Sequence, residues 1–369
     1  MAIKSRLFEP LQVGQMQLSN RLAMAPLTRF RANDEHVHED MAVEYYAQRA
    51  SYPGTLLVTE ATPVSARVGG YANVPGIYTD AQIRAWKKIT DAVHAKGSYI
   101  YLQLWSLGRV ADPSVLKKET GLPLKSASAV PMDDKSPVPE EYTEEEIWGI
   151  VEDFAQGAKN AIEAGFDGVE IHAANGYLID QFTQDTCNKR TDKWGGSVEN
   201  RSRFCLEVTK AVVAAVGADK TGIRLSPWSP FQGMKMEDPV PQFSHLTKSL
   251  KEFNLAYLHL VESRITGNAD VESYEQIDFV TDIWGKTSPI LLAGGFKADS
   301  AKEAADKQYK DKDIIIVFGR YFIANPDLVF RVREGIEFTD YDRDTFYAPG
   351  QTKGYTDYPF SKEFKEAKI

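Results

Sequence analysis

Short apolar runs of strand length recur along the chain, each followed by a longer stretch in which apolar residues return every three or four positions. The runs fall at 21–25, 56–60, 99–104, 168–172, 222–226, 257–261, 289–293 and 314–319, and helical periodicity follows at 80–96, 143–164, 199–216, 239–253 and 298–308. Strands alternating with helices are the pattern of parallel βα units. Eight such units predict one closed (β/α)8 TIM barrel of the α/β class rather than an open doubly wound sheet. No Gly/Ser-rich or charged linker interrupts the pattern, so 1–369 is expected to form a single domain. The connection 106–142, rich in Pro, Ser and Lys, is expected to be a long loop insertion after the third strand, lying over the barrel mouth where binding loops gather. The acidic run 140–146 marks a helix start, because Thr143 followed three residues later by Glu146 is a capping box and acids favour a helix N-terminus.

Composition narrows the class. Hydrophobic residues make up 43% of the 369 positions and charged residues 26%, which is enough apolar material for a sizeable core. The net charge of −9 opposes binding to phosphate backbones or anionic lipid, so neither nucleic acid nor membrane is expected as a partner. The opening residues carry no apolar signal core, and no run approaches the roughly 18–20 apolar residues of a membrane helix. A soluble, cytoplasmic protein, monomeric or homodimeric, is the expectation. Cys187 and Cys205 form no Cys-x-x-Cys pair, so neither a disulfide framework nor a thiolate zinc site is expected. His36 and His38 flank one valine in a polar loop without a partner cluster, and no metal site is expected there. His94 and His259 are read as structural.

In a (β/α)8 barrel the active site lies at the C-terminal ends of the strands. The polar residues expected there are Thr28, Glu60, Gln103, His172, Asn175 and Arg224. Each alone has a bland explanation: a histidine at a strand end is often structural, and an asparagine before Gly176 can cap a helix. Together they suit one chemistry. His172 and Asn175 can aim two hydrogen-bond donors at a single oxygen and stabilise charge developing on a carbonyl. Tyr177 offers a phenol able to protonate a carbanion-like centre. Hydride addition to an α,β-unsaturated carbonyl needs both, together with a hydride source that side chains cannot provide, so a cofactor is required. No G-x-G-x-x-G opens a helix after a strand. Gly294 and Gly295 follow the seventh strand, and Gly319 with Arg320 ends the eighth, where barrels commonly bind phosphate. Arg320 would add a guanidinium. The alternative is that these glycines merely turn the chain.

Several segments resemble the old yellow enzymes, flavin-dependent ene-reductases. They are MAPLTR at 24–29, TEAT at 59–62, GGY at 69–71, LQLW at 102–105, VEIHAANGYLIDQF at 169–182, RTDKWGGSVENRSRF at 190–204, RLSPW at 224–228, AGGF at 293–296, FGRYFIANPDL at 318–328 and YDRDTFY at 341–347. The likeness runs in order from about 7 to 360. It implies non-covalent FMN across the barrel mouth, with Pro26, Leu27 and Thr28 against the isoalloxazine, Ala61 and Gln103 on its pyrimidine ring, and Arg224 facing N1 and O2. Gly294, Gly295, Gly319 and Arg320 would hold the phosphate. The His–Asn pair of that family binds the substrate carbonyl and its tyrosine delivers the proton, roles that fall on His172, Asn175 and Tyr177. Tyr71, Phe231 and Tyr355 resemble the aromatics lining the substrate side, and Trp105 would set how a β-substituted substrate lies.

The resemblance further implies NADPH as hydride donor, with transfer through flavin N5 to an α,β-unsaturated aldehyde or ketone. The segment at 169–182 is similar to fungal members acting in ergot-alkaloid assembly, where tyrosine at the Tyr177 position accompanies reduction and phenylalanine accompanies isomerisation. A biosynthetic ene-reductase or isomerase acting on an alkaloid or other secondary-metabolite aldehyde is therefore one alternative; a flavin-binding protein without turnover is another. The segment 262–270, ESRITGNAD, departs from the yeast-like pattern and lacks an aromatic to cap the pocket.

Overall fold

The computed structural model describes residues 5–266, 269–270 and 275–367. Gly267 and Asn268, part of the divergent 262–270 segment, lie outside the described residues.

Among the described residues eight parallel strands form a closed ring: β1 (Leu22–Met24), β2 (Leu56–Val58), β3 (Tyr99–Trp105), β4 (Gly168–His172), β5 (Thr221–Leu225), β6 (Tyr257–Val261), β7 (Ile290–Ala293) and β8 (Ile314–Phe318). Each pairs with the next, and β8 pairs with β1 through Ile316↔Leu22 and Phe318↔Met24, which closes the barrel. β1, β2, β7 and β8 read as unbroken apolar runs because a barrel strand is covered on both faces, by the interior and by the helices; all five residues of β8 are buried. An antiparallel hairpin, Leu11–Val13 with Met16–Leu18, packs its apolar side against barrel-interior residues including Tyr101, Tyr257 and Ile315.

The principal helices are α1 (Asp40–Arg49), α2 (Asp80–His94), α3 (Glu144–Glu163), α4 (Val198–Val216), α5 (Val240–Lys251), α6 (Asp278–Trp284), α7 (Ala298–Glu303) and α8 (Leu328–Glu334). The acidic run does begin α3: the Thr143 hydroxyl accepts from Glu146 N–H while the Glu146 carboxylate accepts from Thr143 N–H. α7 continues into a π-helical turn at Ala304–Gln308, so the stretch at 298–308 is helical in two geometries. No helix among the described residues is long and apolar enough to cross a membrane.

The insertion after β3 is more ordered than a loop. It carries a helix, Pro113–Thr120, and a two-residue pairing of Lys125–Ser126 with Glu140–Glu141. Asp112 caps the helix by accepting from Ser114 and Val115 N–H, Pro113 opens it, and Gly121 ends it in the left-handed region at φ 73°.

Candidate active site

A cavity of about 440 Å³ opens at the C-terminal ends of the strands. Its wall contains Pro26, Leu27 and Thr28 beyond β1, Ala61 beyond β2, Gln103 on β3, and His172, Asn175 and Tyr177 at the end of β4. Arg224 and Phe231 come from β5 and the loop after it, and Tyr71 from the β2–α2 connection. Gly294 and Gly295 follow β7, while Gly319 and Arg320 follow β8. The β4 and β8 ends face each other across the barrel, so the His–Asn–Tyr group stands opposite the glycine-rich wall.

The loop after β4 is tightly specified. Asn175 adopts a left-handed backbone at φ 58° and Gly176 follows at φ 77°. Ser226 Oγ accepts from Asn175 N–H at 2.8 Å, Gln232 Nε2 donates to the Asn175 carbonyl at 2.6 Å, and Asp180 accepts from Gly176 N–H at 2.9 Å. The Tyr177 ring meets the His172 ring edge-on at 4.9 Å and the Trp105 ring at the same distance. Burial, helped by the nearby Arg224, pushes His172 well below its ordinary value, so its imidazole is neutral at physiological pH. Burial raises the Tyr177 phenol well above its usual range, so the hydroxyl stays protonated.

Two expected substrate residues stand elsewhere. Tyr355 is fully buried, stacked on Tyr45 at 4.0 Å with the Arg29 and Arg31 guanidiniums 5.2 and 5.0 Å from its ring centre. It is a core residue of the C-terminal segment, and its assignment to the pocket is corrected. Trp105 is also buried and packs edge-on against the cavity residues Tyr71 at 5.7 Å and Tyr177 at 4.9 Å, so it braces the wall from which those two project. In their place Phe30, Phe346 and the half-exposed Tyr347 line the cavity. Tyr347 ends the YDRDTFY motif, which is the signal that could have found it. Its segment is held by backbone carbonyls: Arg29 and Arg31 donate to Phe346 O at 3.1 and 2.8 Å, and Arg31 also donates to Thr345 O.

Beneath Ala61, Glu60 accepts from Tyr46 and from Arg29 N–H, and its burial pushes the carboxyl up to about 7. His38 packs edge-on against Trp86 at 4.4 Å, and His36 Nδ1 bonds the Val74 carbonyl.

The donor set suits a flavin phosphate ester. His172 Nδ1 and Arg224 Nε are buried without a hydrogen-bond partner among the described residues, which leaves two cavity residues with capacity for an added acceptor. Gly295 is left-handed at φ 65°, a side-chain carbon at Gly294 would run into the Glu262 carboxylate, and one at Gly319 would come within 3.3 Å of Leu27 Cδ2. A wall stripped of side chains at these points lets a ligand approach the backbone. The flat apolar edge of Pro26 and Leu27 and the fixed charge of Arg224 match a ring system that carries negative charge when reduced.

Comparison with known proteins agrees with this site. The profile of the NADH:flavin oxidoreductase / NADH oxidase family matches residues 6–339. A chanoclavine-I aldehyde reductase of Penicillium roqueforti is 61% identical over 98% of each chain. An NADP-dependent oxidoreductase of Aspergillus flavus is 55% identical over 97% of each. Among solved structures, an old yellow enzyme from Pichia sp. superposes with a TM-score of 0.90 at 42% identity, covering 97% of this chain and 94% of that one. Morphinone reductase in complex with tetrahydroNAD gives 0.89 at 38% identity, covering 99% and 100%. The chain therefore belongs to the NADH:flavin oxidoreductase / NADH oxidase family and is an FMN-dependent oxidoreductase that draws on a nicotinamide cofactor.

Proposed function

We propose that the whole chain, 1–369, works as one FMN-binding barrel that reduces the carbon–carbon double bond of an α,β-unsaturated aldehyde or ketone with NADPH. The observation that carries this reading is that His172, Asn175 and Tyr177 share one cavity with Arg224 and the glycine-rich wall of Gly294, Gly295 and Gly319. Bound FMN supplies hydride transfer, through its N5, from the nicotinamide to the β-carbon of the alkene. Pro26, Leu27 and Thr28 would hold the isoalloxazine, Ala61, Gln103 and Arg224 its pyrimidine edge, and the three glycines with Arg320 its phosphate.

The remaining work belongs to side chains. Neutral His172 and the Asn175 carboxamide each offer an N–H to the substrate carbonyl oxygen; the Asn175 backbone is fixed by Ser226 and Gln232, and the His172 ring packs edge-on against Tyr177. Tyr177 retains its proton until the α-carbon of the polarised alkene takes it. Tyr71 and Phe231 flank a planar enal. Aldehyde reductase in the names of relatives from Penicillium roqueforti and a Cladobotryum species supports an unsaturated aldehyde of fungal secondary metabolism, and the NADP dependence named for the Aspergillus flavus relative supports NADPH.

The test compares wild type with Tyr177→Phe, both loaded with FMN. Tyr177→Phe should keep its yellow colour and its charge-transfer band with an added phenol, while reduced product falls about 10²–10⁴-fold or gives way to isomer. Unchanged rate and product would remove Tyr177 from the proton role. A yellow wild type that consumes no NADPH with any enal would favour a flavin carrier instead. Nicotinamide and alkene taking turns in one cavity further requires parallel double-reciprocal lines.

A further inference from the structure

One layer below the cavity, side chains from two strands converge on a carboxylate carried by a third. Glu170 lies on β4 two residues before His172, so both occupy its inward face. Its buried carboxylate accepts from Gln103 Nε2 on β3 at 2.7 Å, from His259 Nδ1 on β6 at 2.8 Å and from the Tyr257 hydroxyl at 3.0 Å. Register explains the convergence: Gln103 stands opposite Glu170, and Arg224 on β5 stands opposite both His172 and His259. Elsewhere the barrel interior is apolar, with Ala23, Leu56, Leu291 and Ile315. A buried carboxylate in such a core costs several kcal/mol unless compensated, and the polar quadrant is confined to the side beneath Gln103 and Arg224, both of which line the cavity.

We propose that Glu170 is a positioning residue for the flavin, orienting the Gln103 carboxamide and partly offsetting the charge of Arg224. This rests on the reading that Gln103 and Arg224 hold the pyrimidine edge. An ionised carboxylate can only accept, so it captures Gln103 Nε2 and leaves Oε1 as the acceptor that Gln103 presents upward. A protonated Glu170 would lose that selectivity. Burial alone would push the acid up, but His259, Arg224 and Gln103 outweigh it and hold the carboxyl below the usual range. Burial lowers His259 while the Glu170 partner raises it, and at 2.8 Å its Nδ1–H donates to the carboxylate whether or not the ring carries a second proton. Arg224 favours the anionic reduced cofactor, and Glu170, whose charge acts on Arg224 from the neighbouring strand, moderates that preference.

The experiment measures the two-electron midpoint potential and the dissociation constants of oxidised and reduced FMN for wild type, Glu170→Gln and Tyr257→Phe. Glu170→Gln removes the charge with little change of shape, so the ratio of oxidised to reduced dissociation constants should rise about tenfold, equivalent to a potential ~30 mV higher. Tyr257→Phe removes one neutral donor and leaves the carboxylate less shared, so the potential should move in the opposite direction. A merely structural role does not produce opposite signs. Oxidised FMN should bind Glu170→Gln several-fold more weakly, and that loss should vanish in a Gln103→Ala background. Potentials within a threefold change of that ratio for both variants overturn the proposal while FMN binding stands; a wild type that takes up no FMN overturns the flavin reading itself. Should Glu170→Gln fail to fold, Tyr257→Phe decides: a lower potential supports the proposal, and an unchanged or higher one overturns it.

Discussion

Tyr355 separates a core residue from a pocket residue, and two substitutions test the distinction. Tyr355→Ala deletes a ring that is fully buried and stacked on Tyr45 at 4.0 Å. Large-to-small changes of this kind cost about 3–5 kcal/mol, and loss of the stacking and of the Arg29 and Arg31 contacts keeps the value at the upper end. Tyr355→Phe is the opposite case. The Tyr355 hydroxyl is buried with no hydrogen-bond partner among the described residues, and leaving such a group unsatisfied costs about 1–3 kcal/mol. Its removal should be neutral or stabilising by about 1 kcal/mol. Urea unfolding with excess FMN, which keeps the cofactor's contribution constant, should show a lower midpoint for Tyr355→Ala and an equal or higher one for Tyr355→Phe, whose KM should match wild type. Tyr347→Ala should behave in reverse, raising KM several-fold while stability stays within about 0.5 kcal/mol, because Tyr347 is half exposed at the cavity. A several-fold KM change in Tyr355→Phe at unchanged midpoint would refute the placement of this residue in the core.

Gly176→Ala should be costly on two counts: a left-handed alanine at φ 77° costs about 1–2 kcal/mol, and its Cβ would sit 2.7 Å from Gln232 Cβ and 3.1 Å from Met234 Cγ, worth about 1–3 kcal/mol more. Because the strained loop carries Asn175 and Tyr177, kcat should fall by about 10² for a displacement near 1 Å; an unfolding midpoint and kcat both equal to wild type would contradict the fit described. At the surface, the His94 ring bonds Asp167 at 2.9 Å, which raises it above the ordinary 6.5. A base raised on folding stabilises fully below its unfolded value and loses that contribution as pH climbs through the folded one, so the stability gap between wild type and His94→Gln should shrink from pH 6 to pH 8. The pair is half exposed, which keeps the gap under about 1 kcal/mol; a gap that widens with pH would reverse the sign.

What could be read from the chain, and what could not, divides by the distance over which each residue finds its partners. The β8 run is apolar at every position because both faces are covered, so it announces itself locally, as does the Thr143–Glu146 capping box. The cavity residues at the strand ends were equally accessible, because a barrel sends the C-terminal ends of all its strands to one face and His172, Asn175 and Tyr177 leave the same strand within five positions. The helix Pro113–Thr120 carried its Asp, Pro and Gly signals, but it buries only Leu116 and so shows almost no apolar stripe. Tyr347 and Tyr355 defeat local reading altogether. They lie eight positions apart on one segment, and which of them turns inward depends on arginines some 300 residues earlier that grip the backbone carbonyls between and around them. Glu170 and His259 pose the same problem inside the barrel. Each is a polar residue set among apolar neighbours in its strand, and only their meeting across 89 positions turns two apparent oddities into one network. The residues proposed as catalytic were therefore legible as a group because barrel topology specifies where strand ends go, while the residues that shape and tune the cavity were not, because no rule of local pattern encodes a partner chosen by closure of the ring.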